Sequence, residues 1–327
     1  MTQRLCFLIV FLAFTSSAWA QVTEYPVTPA SSPSGICRGA DGGVWFTEEA
    51  AGKLGRIWTD GTVQEFVIPT SNPGPGGCAD AFDGTTHAIY FTETRTLKLG
   101  KFAPVIDPIS HLVTSGIFSE WTMNSGASGI VLAPDGYLWL MESGISKVAR
   151  FNPVTNTFLA LYSMTIGSFP HGPTSGPDGN VWFCMFNRNR IARMTLAGVV
   201  TEYVLPQLNS KPFVITTAPD GNLYFTEPAV NKIGRISLTA FAITQWIPPT
   251  ANALPYGITA GADGNLYVAE KTANAIGKLP LGGGGIVETP VPTALAWPDK
   301  ITLGSDGHLW FTEHSASKIA KIVKIVH

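Results

Sequence analysis

The sequence predicts a seven-bladed β-propeller with four antiparallel strands in each blade. An Asp-Gly pair followed by a short apolar phrase returns along the chain at intervals of 42, 52, 43, 42, 43 and 43 residues. This period is typical of a four-stranded blade. The long interval contains an extension around PVIDPISHLVTSG, so we expect longer loops in that blade and no missing blade. The seven aspartates are Asp41, Asp83, Asp135, Asp178, Asp220, Asp263 and Asp306.

Within each copy, alternating apolar residues and turn signals divide the segment into four strands. In the copy around Asp263, YGITAGA predicts the inner strand, LYVAE the returning strand, AIGKLPL the third and GIVETPVP the fourth. The Asp-Gly turn suits a hairpin because both residues tolerate a positive φ. One aromatic residue recurs in every copy and is expected to pack between blades. These residues are Trp45, Tyr90, Trp139, Trp182, Tyr224, Tyr267 and Trp310.

The two ends of the chain predict how the ring closes. The last copy stops at KIAKIVKIVH, which supplies a third strand and no fourth. The segment VTEYPV at 22–27 is of the same kind as the fourth strands VQEFVIP at 63–69 and VTEYVLP at 200–206. Placing it on the last blade leaves no open strand edge at the join. We therefore expect one propeller domain over residues 21–327.

The first 20 residues predict a secretory signal peptide. MTQRLCFLIVFLAFTSSAWAQ has an arginine near its start, an apolar run over 5–14 and the small-x-small sequence Ala18-Trp19-Ala20. This pattern predicts cleavage before Gln21 and an exported protein, periplasmic or secreted. No later stretch has the roughly 20 apolar residues that a membrane span needs.

Composition and cysteine content narrow the function classes. A net charge of -2 with 13% charged residues offers no electrostatic surface for nucleic acid or anionic membrane, and we expect a monomer. Three cysteines follow the signal peptide. Cys37 and Cys78 occupy equivalent parts of neighbouring repeats, which makes them the favoured disulfide pair and leaves Cys184 unpaired.

Two sets of positions are expected to border the central mouth, because the start of the inner strand and the end of the returning strand share a rim. The first set is Ser34, Gly76, Ser128, His171, Phe213, Tyr256 and Asp299. The second is Glu48, Glu93, Glu142, Met185, Glu227, Glu270 and Glu313. The recurring glutamates precede basic residues by five positions, which suggests a repeated ion pair or hydrogen bond between strands. These basic residues are Lys53, Lys98, Lys147, Arg190, Lys232 and Lys318.

The first set differs from blade to blade, so it is the better candidate for a functional site. His171, Phe213, Tyr256 and Asp299 fall on consecutive blades and offer a titratable base, apolar walls and a carboxylate. Such a combination is typical of a pocket for a small molecule or peptide. The alternative is a water-filled channel whose lining has no function.

The repeated phrase P-x-G-I-x-x-G-x-D-G-x-x-W-F-T-E, followed by N-K-I-G-R-I, G-x-x-x-E-F and a proline, resembles the streptogramin B lyase (virginiamycin B lyase) family. The resemblance covers essentially the whole chain after the signal peptide. It implies a seven-bladed propeller that opens cyclic depsipeptide antibiotics by elimination, using a base, a Mg2+ ion and an acid. It also implies Pro-His-Gly or Pro-His-Ala at the mouth of two adjacent blades, with a glutamate two residues before one histidine and another fourteen after it.

The chain matches this implied pattern only in part. Pro-His-Gly occurs with its histidine at His171, but Phe169 and Met185 stand where the resemblance implies glutamates. The neighbouring mouth positions are Ser128 and Phe213, so neither supplies a second histidine.

Two functions therefore stay open. One is a carbon-oxygen lyase that opens a cyclic depsipeptide or lactone, and the other is an exported propeller that binds a peptide, cell-wall fragment or protein without catalysis. The candidate catalytic residues are His171, Tyr256 and Asp299. The candidate substrate-binding residues are Phe213, Tyr256, Phe169 and Met185. The candidate ligands for Mg2+ are Asp299 and Glu313.

Overall fold

The computed structural model describes residues 21–323, which form seven four-stranded antiparallel sheets. The signal peptide expected over residues 1–20 lies outside the described residues. In every sheet, sequential strands lie side by side. The seven-bladed propeller predicted from the repeats is confirmed.

The strands are numbered in chain order, beginning with β1 (Gln21–Pro26), which belongs to the last blade. Blade 1 contains β2 (Pro33–Arg38), β3 (Val44–Glu48), β4 (Lys53–Ile57) and β5 (Val63–Val67). Blade 2 contains β6 (Pro75–Phe82), β7 (His87–Glu93), β8 (Lys98–Ile106) and β9 (Val113–Thr122). Blade 3 contains β10 (Ile130–Leu132), β11 (Leu138–Glu142), β12 (Lys147–Asn152) and β13 (Thr157–Ser163).

Blade 4 contains β14 (Pro170–Ser175), β15 (Val181–Met185), β16 (Arg190–Met194) and β17 (Val200–Val204). Blade 5 contains β18 (Ile215–Thr217), β19 (Leu223–Glu227), β20 (Lys232–Ile236) and β21 (Ile243–Trp246). Blade 6 contains β22 (Pro255–Ala260), β23 (Leu266–Glu270), β24 (Ala275–Leu279) and β25 (Val287–Pro290). Blade 7 contains β26 (Pro298–Leu303), β27 (Leu309–Glu313) and β28 (Lys318–Val323), together with β1. Short 3-10 helices at Ser143–Ile145 and Pro228–Val230 follow β11 and β19.

The ring closes as the two chain ends predicted. β1 pairs antiparallel with β28, from Gln21 opposite Val323 to Pro26 opposite Lys318. Glu24 on β1 also accepts hydrogen bonds from the backbone and the hydroxyl of Thr293, at 2.8 and 2.7 Å. The first and last strands are therefore joined by a complete ladder and by side-chain contacts. No helix among residues 21–323 is long and apolar enough to cross a membrane.

The recurring Asp-Gly turn and the recurring aromatic residue form one structural unit. In blade 1, Asp41 accepts hydrogen bonds from the Trp45 indole at 3.2 Å and from the Arg56 guanidinium at 2.7 Å. Asp178 does the same for Trp182 and Arg193 in blade 4. The aspartate thus satisfies the polar edge of a large buried ring, which leaves the rest of that ring free to pack between sheets. This explains most of the repeated phrase without any catalytic role.

A disulfide joins blades 1 and 2. Cys37 on β2 and Cys78 on β6 are bonded, with their Cα atoms 5.8 Å apart. Cys184 on β15 is a buried free thiol. The pairing favoured by the sequence is confirmed, because equivalent positions on adjacent inner strands lie within disulfide reach.

Candidate functional site

A cavity of about 340 Å3 opens at the centre of the ring, where the inner strands begin. Most of the predicted first set lines it, in agreement with the strand geometry. The lining members of that set are Ser34, Gly76, Ser128, His171, Phe213 and Asp299. Tyr256 is not among the lining residues, but its ring packs on Phe213 with the two ring centroids 4.4 Å apart.

The second set does not border the cavity, and the prediction that it would is wrong. Its six glutamates and Met185 have fully buried side chains and are absent from the cavity lining. The following residues, such as Glu49 and Thr94, line the cavity instead. Side chains alternate between the two faces of a strand, so residue 49 faces the mouth only if residue 48 faces away from it.

The predicted pairing of these glutamates with the basic residue five positions later is also wrong. In blade 1, the Lys53 ammonium pairs with Glu65 on the fourth strand at 2.8 Å, and the Glu48 carboxyl faces Glu65. Burial and the Glu65 charge raise the pKa of Glu48 to about 8. At Glu65, burial opposes ionisation but the bonds from Lys53 and Thr28 outweigh it and lower the pKa to about 2. Glu48 is therefore a neutral interior group that lies beside an ionised carboxylate.

Met185 occupies the same interior position in blade 4. It packs in an apolar cluster with Met141, Phe183 and Ala192. Its predicted contact with a substrate is not supported by this placement, because the side chain has no exposed surface. Blade 4 thus has an apolar side chain where the other blades bury a carboxyl, and neither kind of side chain lines the cavity.

His171 lines the cavity from β14, and its ring is held in one orientation. Its Nδ1 lies 3.0 Å from the carbonyl oxygen of Phe213, and its ring stacks on the Phe213 ring at a centroid distance of 4.1 Å. A carbonyl oxygen only accepts, so Nδ1 carries the proton and Nε2 has the free lone pair. Burial and the nearby Lys300 charge lower the pKa of His171 to about 3. The imidazole is therefore neutral.

The His171 bond takes the place of a threonine bond found in other blades. In three blades a threonine hydroxyl donates to the backbone carbonyl of the first-set residue in the next blade. An example is the bond from Thr47 to Gly76 at 2.6 Å, and Thr226 and Thr312 make the equivalent bonds. In blade 4 the equivalent residue is Cys184, and the equivalent carbonyl, that of Phe213, is bonded by His171. His171 consequently has a structural role between blades 4 and 5 in addition to any chemical one.

Asp299 is a cavity-lining carboxylate paired with a lysine that the sequence interpretation missed. The Lys300 ammonium lies 3.1 Å from Asp299 Oδ1, and its side chain is 23% exposed. Burial opposes ionisation of Asp299, but Lys300 and Lys271 outweigh it and hold its pKa below the ordinary value. Burial lowers the pKa of Lys300, and Asp299 offsets this only in part. The sequence did contain a signal for Lys300, because this lysine stands where the repeated phrase P-x-G-I has its glycine.

The residues present do not fit the Mg2+ that the resemblance implied. Glu313 is turned away from Asp299, and its buried carboxyl faces Glu24 on β1. Asp299 is already bound by the Lys300 ammonium. Over residues 21–323, no group of three or more His, Cys, Asp or Glu side chains could hold a metal ion. A hard cation needs several oxygen ligands in one place. Here a single carboxylate, that of Asp299, lies near the ammonium groups of Lys300 and Lys271.

Phe169, the remaining predicted binding residue, lies on the rim of the mouth. Its side chain is 37% exposed, and its ring centroid is 5.9 Å from that of Phe186. The structure thus brings Phe169, His171, Phe213, Tyr256 and Asp299 to one side of the mouth, across blades 4 to 7. It separates them from Met185 and Glu313, which are enclosed within their blades.

The comparisons with known proteins agree with this architecture. The family model described as the virginiamycin B lyase family matches residues 15–106 and 103–326. A curated virginiamycin B lyase from Nocardia farcinica is 30% identical over 154 residues, which cover 46% of this chain and 49% of that protein. The chain thus aligns with about half the length of this curated relative.

Two solved structures of virginiamycin B lyase from Staphylococcus aureus match over nearly their whole length. The selenomethionine-substituted protein is 32% identical with a TM-score of 0.82, covering 93% of this chain and 99% of that one. A catalytically inactive histidine-to-alanine variant with quinupristin is 31% identical with a TM-score of 0.82 and the same coverage. Because the family model spans nearly the whole chain, this protein belongs to the virginiamycin B lyase family.

Proposed function

We propose that the protein is a carbon-oxygen lyase that opens the ester of a small cyclic depsipeptide or lactone at the central cavity. The observation that carries this proposal is the state of His171, a neutral imidazole at the cavity with its Nδ1 proton fixed on Phe213. Its Nε2 is the unprotonated nitrogen and the candidate base. Family membership supports the same class of reaction.

In this proposal, the reaction is an elimination. His171 Nε2 takes the proton from the carbon α to a carbonyl, the electrons of that C–H bond form a C=C bond to the β carbon, and the β carbon-oxygen bond breaks. The electron pair leaves on the ester oxygen, which becomes part of a carboxylate. Burial and Asp299 raise the pKa of Tyr256, so its hydroxyl stays protonated and is the candidate hydrogen-bond donor to the departing carboxylate oxygen.

A second candidate is binding without turnover. A base with a pKa near 3 is far from the value that general-base catalysis favours at neutral pH. His171 also has a structural bond that explains its presence without catalysis. Under this second proposal, the protein is an exported propeller whose mouth binds a peptide, cell-wall fragment or protein segment.

We further propose that the protein acts as a monomer outside the cytoplasm, in the periplasm or after secretion. The signal-like N-terminal sequence motivates this, and the Cys37–Cys78 disulfide supports it because such bonds persist in oxidising compartments.

The test is to incubate the purified protein with a streptogramin B and follow the antibiotic by mass spectrometry. Elimination leaves the mass unchanged but gives a linear chain with a new dehydro residue, which fragmentation identifies. We expect this product from the native protein and none from His171→Ala combined with Cys184→Thr, which restores the bond to Phe213. Parallel reactions with Mg2+ and with EDTA measure any metal dependence. Antibiotic that stays intact at high protein concentration would overturn the lyase assignment and leave the binding function.

A further inference from the structure

Aromatic rings alternate with ammonium groups in a row that begins at the cavity, where Phe213 and Lys300 line it, and continues beside it. Lys300 Nζ lies 4.3 Å from the Phe213 ring centroid and 5.5 Å from that of Tyr256. Lys271 Nζ lies 4.7 Å from the Tyr256 centroid and 5.1 Å from that of Trp297. We call these five residues the ring–lysine wall. Cation–π contacts hold each ammonium between two rings, so both charges are positioned in advance.

Lys300 occupies a position where the scaffold otherwise uses glycine. The equivalent residue is glycine in five blades, because adjacent inner strands approach closely there. A Cβ at Gly35 would lie 2.0 Å from the carbonyl oxygen of Gly76, and one at Gly257 would lie 2.5 Å from that of Asp299. The five glycines are Gly35, Gly77, Gly129, Gly172 and Gly257. Blade packing therefore does not call for a long cationic side chain at Lys300, which lines the cavity.

The charges on the wall do not cancel. Asp299 pairs with Lys300 at 3.1 Å, and within residues 21–323 no carboxylate comes within 4.0 Å of the Lys271 ammonium. On the adjoining blade 1, Glu49 is bound by Arg95 at 2.8 Å, with His314 Nε2 at 4.0 Å, so its charge is already compensated. Two ammoniums and one carboxylate leave one positive charge, which matches a monoanion better than a dianion.

The rim above this wall carries bulky side chains where the backbone disfavours them. The residue before the proline that opens the inner strand has a positive φ in six blades. Blades 1 and 2 have Ser32 and Gly74 there, and blades 5 and 6 have Lys211 and Leu254. Blades 4 and 7 have the two aromatic residues of the set, Phe169 at φ 51° and Trp297 at φ 56°. Left-handed backbone is unfavourable for a residue with a bulky side chain. Phe169 and Trp297 are 37% and 43% exposed, so part of each aromatic side chain is accessible to a ligand at the rim.

We propose that the ring–lysine wall binds a monocarboxylate that carries an aromatic group, with the carboxylate at Lys300 and Lys271 and the aromatic face against Trp297. The inference rests in part on the proposed function, because elimination leaves a carboxylate on the opened ester and this wall is where that group would lie. Its evidence is independent of catalysis, since charge, ring positions and rim strain describe binding alone.

The test uses N-acetylphenylalanine as the carboxylate probe and N-acetylphenylalaninamide as its neutral match, with dissociation constants measured by ligand-observed NMR at low salt. We expect the carboxylate to bind the native protein about tenfold more tightly than the amide. This preference is expected to shrink as salt screens the charges. Lys300→Met removes the preference, Lys300→Arg keeps most of it, and Trp297→Ala weakens both probes equally.

Lys211→Met is the matched control, because the Lys211 ammonium bonds to Asn187 at 2.9 Å and lies over Phe186, which is not a ring of the ring–lysine wall. It is expected to leave the preference unchanged. Equal affinities for the two probes, no binding of either at millimolar concentration, or an equal loss in Lys211→Met would each overturn the inference. Because no turnover is measured, a preference that depends on Lys300 would stand even if the antibiotic stays intact. Conversely, ring opening without that preference would sustain the lyase and refute this subsite.

Discussion

Glu270→Gln should stabilise the protein at neutral pH and have no effect at pH 4. Glu270 is the blade 6 member of the buried glutamate set, and Ala275 lies opposite it where the other blades carry a lysine or an arginine. Its neighbour Glu288 accepts bonds from the backbone and hydroxyl of Thr250, at 2.9 and 2.5 Å. Burial and the charge of Glu288 raise the pKa of Glu270 to about 9. Without a nearby ammonium, the neutral form is favoured here more strongly than at Glu48.

The sign follows from comparing the folded and unfolded chains. An exposed glutamate in the unfolded chain ionises near pH 4.5, while folded Glu270 stays protonated to about pH 9. The native state therefore binds the extra proton, and stability falls as pH rises from 4.5 toward 9. At about 1.36 kcal/mol per pH unit, the penalty at pH 7 is about 3 kcal/mol. Glutamine keeps the shape and carries no charge in either state, so it removes this penalty.

The assay is guanidinium unfolding of the native protein and Glu270→Gln at several pH values between 4 and 8.5. We expect the two free energies of unfolding to coincide near pH 4 and to separate by about 3 kcal/mol at pH 7. The matched control is Glu65→Gln, which removes a carboxylate whose pKa is lowered to about 2 and should destabilise the protein above pH 4.5. A constant difference for Glu270→Gln across the pH range would refute the assignment of a neutral buried carboxyl.

Three further predictions concern the cysteines and the two unusual residues of blade 4. Cys78→Ser should lower the free energy of unfolding by about 4 kcal/mol, because the disulfide closes a loop of 41 residues. It should also make the melting temperature insensitive to reductant, whereas the control Cys184→Thr should keep that sensitivity because Cys184 is outside the disulfide. Met185→Glu should lower the melting temperature more at pH 8 than at pH 5, since a carboxyl among the apolar neighbours of Met185 would resist ionisation. His171→Ala should cost about 1–3 kcal/mol in urea unfolding by removing the donor to a carbonyl, and adding Cys184→Thr should recover part of that loss; no recovery would contradict the exchange of bridging roles.

The fold could be predicted because the same turn, aromatic and basic residues recur at nearly the same spacing in each repeat. The Asp-Gly turn, the ring four residues later and the basic residue on the third strand form one hydrogen-bonded unit, as Asp41, Trp45 and Arg56 show. Local turn chemistry and alternation set the strands, and the period sets the number of blades. Ring closure followed because β1 supplies the fourth strand that the last repeat lacks.

The site was only partly predictable, because a period of two residues decides which side chain faces the mouth. The end of the returning strand was placed at the correct rim, but its side chains point into the blade, so Glu313 and Met185 were misassigned. Lys300 was overlooked because it follows Asp299 at a position that packing normally reserves for glycine. The role of Lys271 could not be predicted from the repeat, because its ammonium contacts two rings that belong to different blades.

The loss of the glutamate in blade 4 has a structural explanation that leaves the chemistry elsewhere. At this position the other blades bury a carboxyl, and where a pKa is resolved at about 8 or 9 that carboxyl is neutral at pH 7. Met185 fills the same space without a titratable group, so the fold tolerates the exchange. The residue before it is Cys184, where blades 1, 5 and 7 have a threonine, and His171 provides the bond to Phe213 that the threonine hydroxyl gives in those blades. His171 thus links blade 4 to the backbone of blade 5, whereas the charged groups Asp299 and Lys300 lie on blade 7. Phe213 connects these groups, because its ring stacks on His171 and the Lys300 ammonium lies 4.3 Å from its ring centroid. Any reaction chemistry at this mouth would therefore use one side of the cavity, across blades 4 to 7.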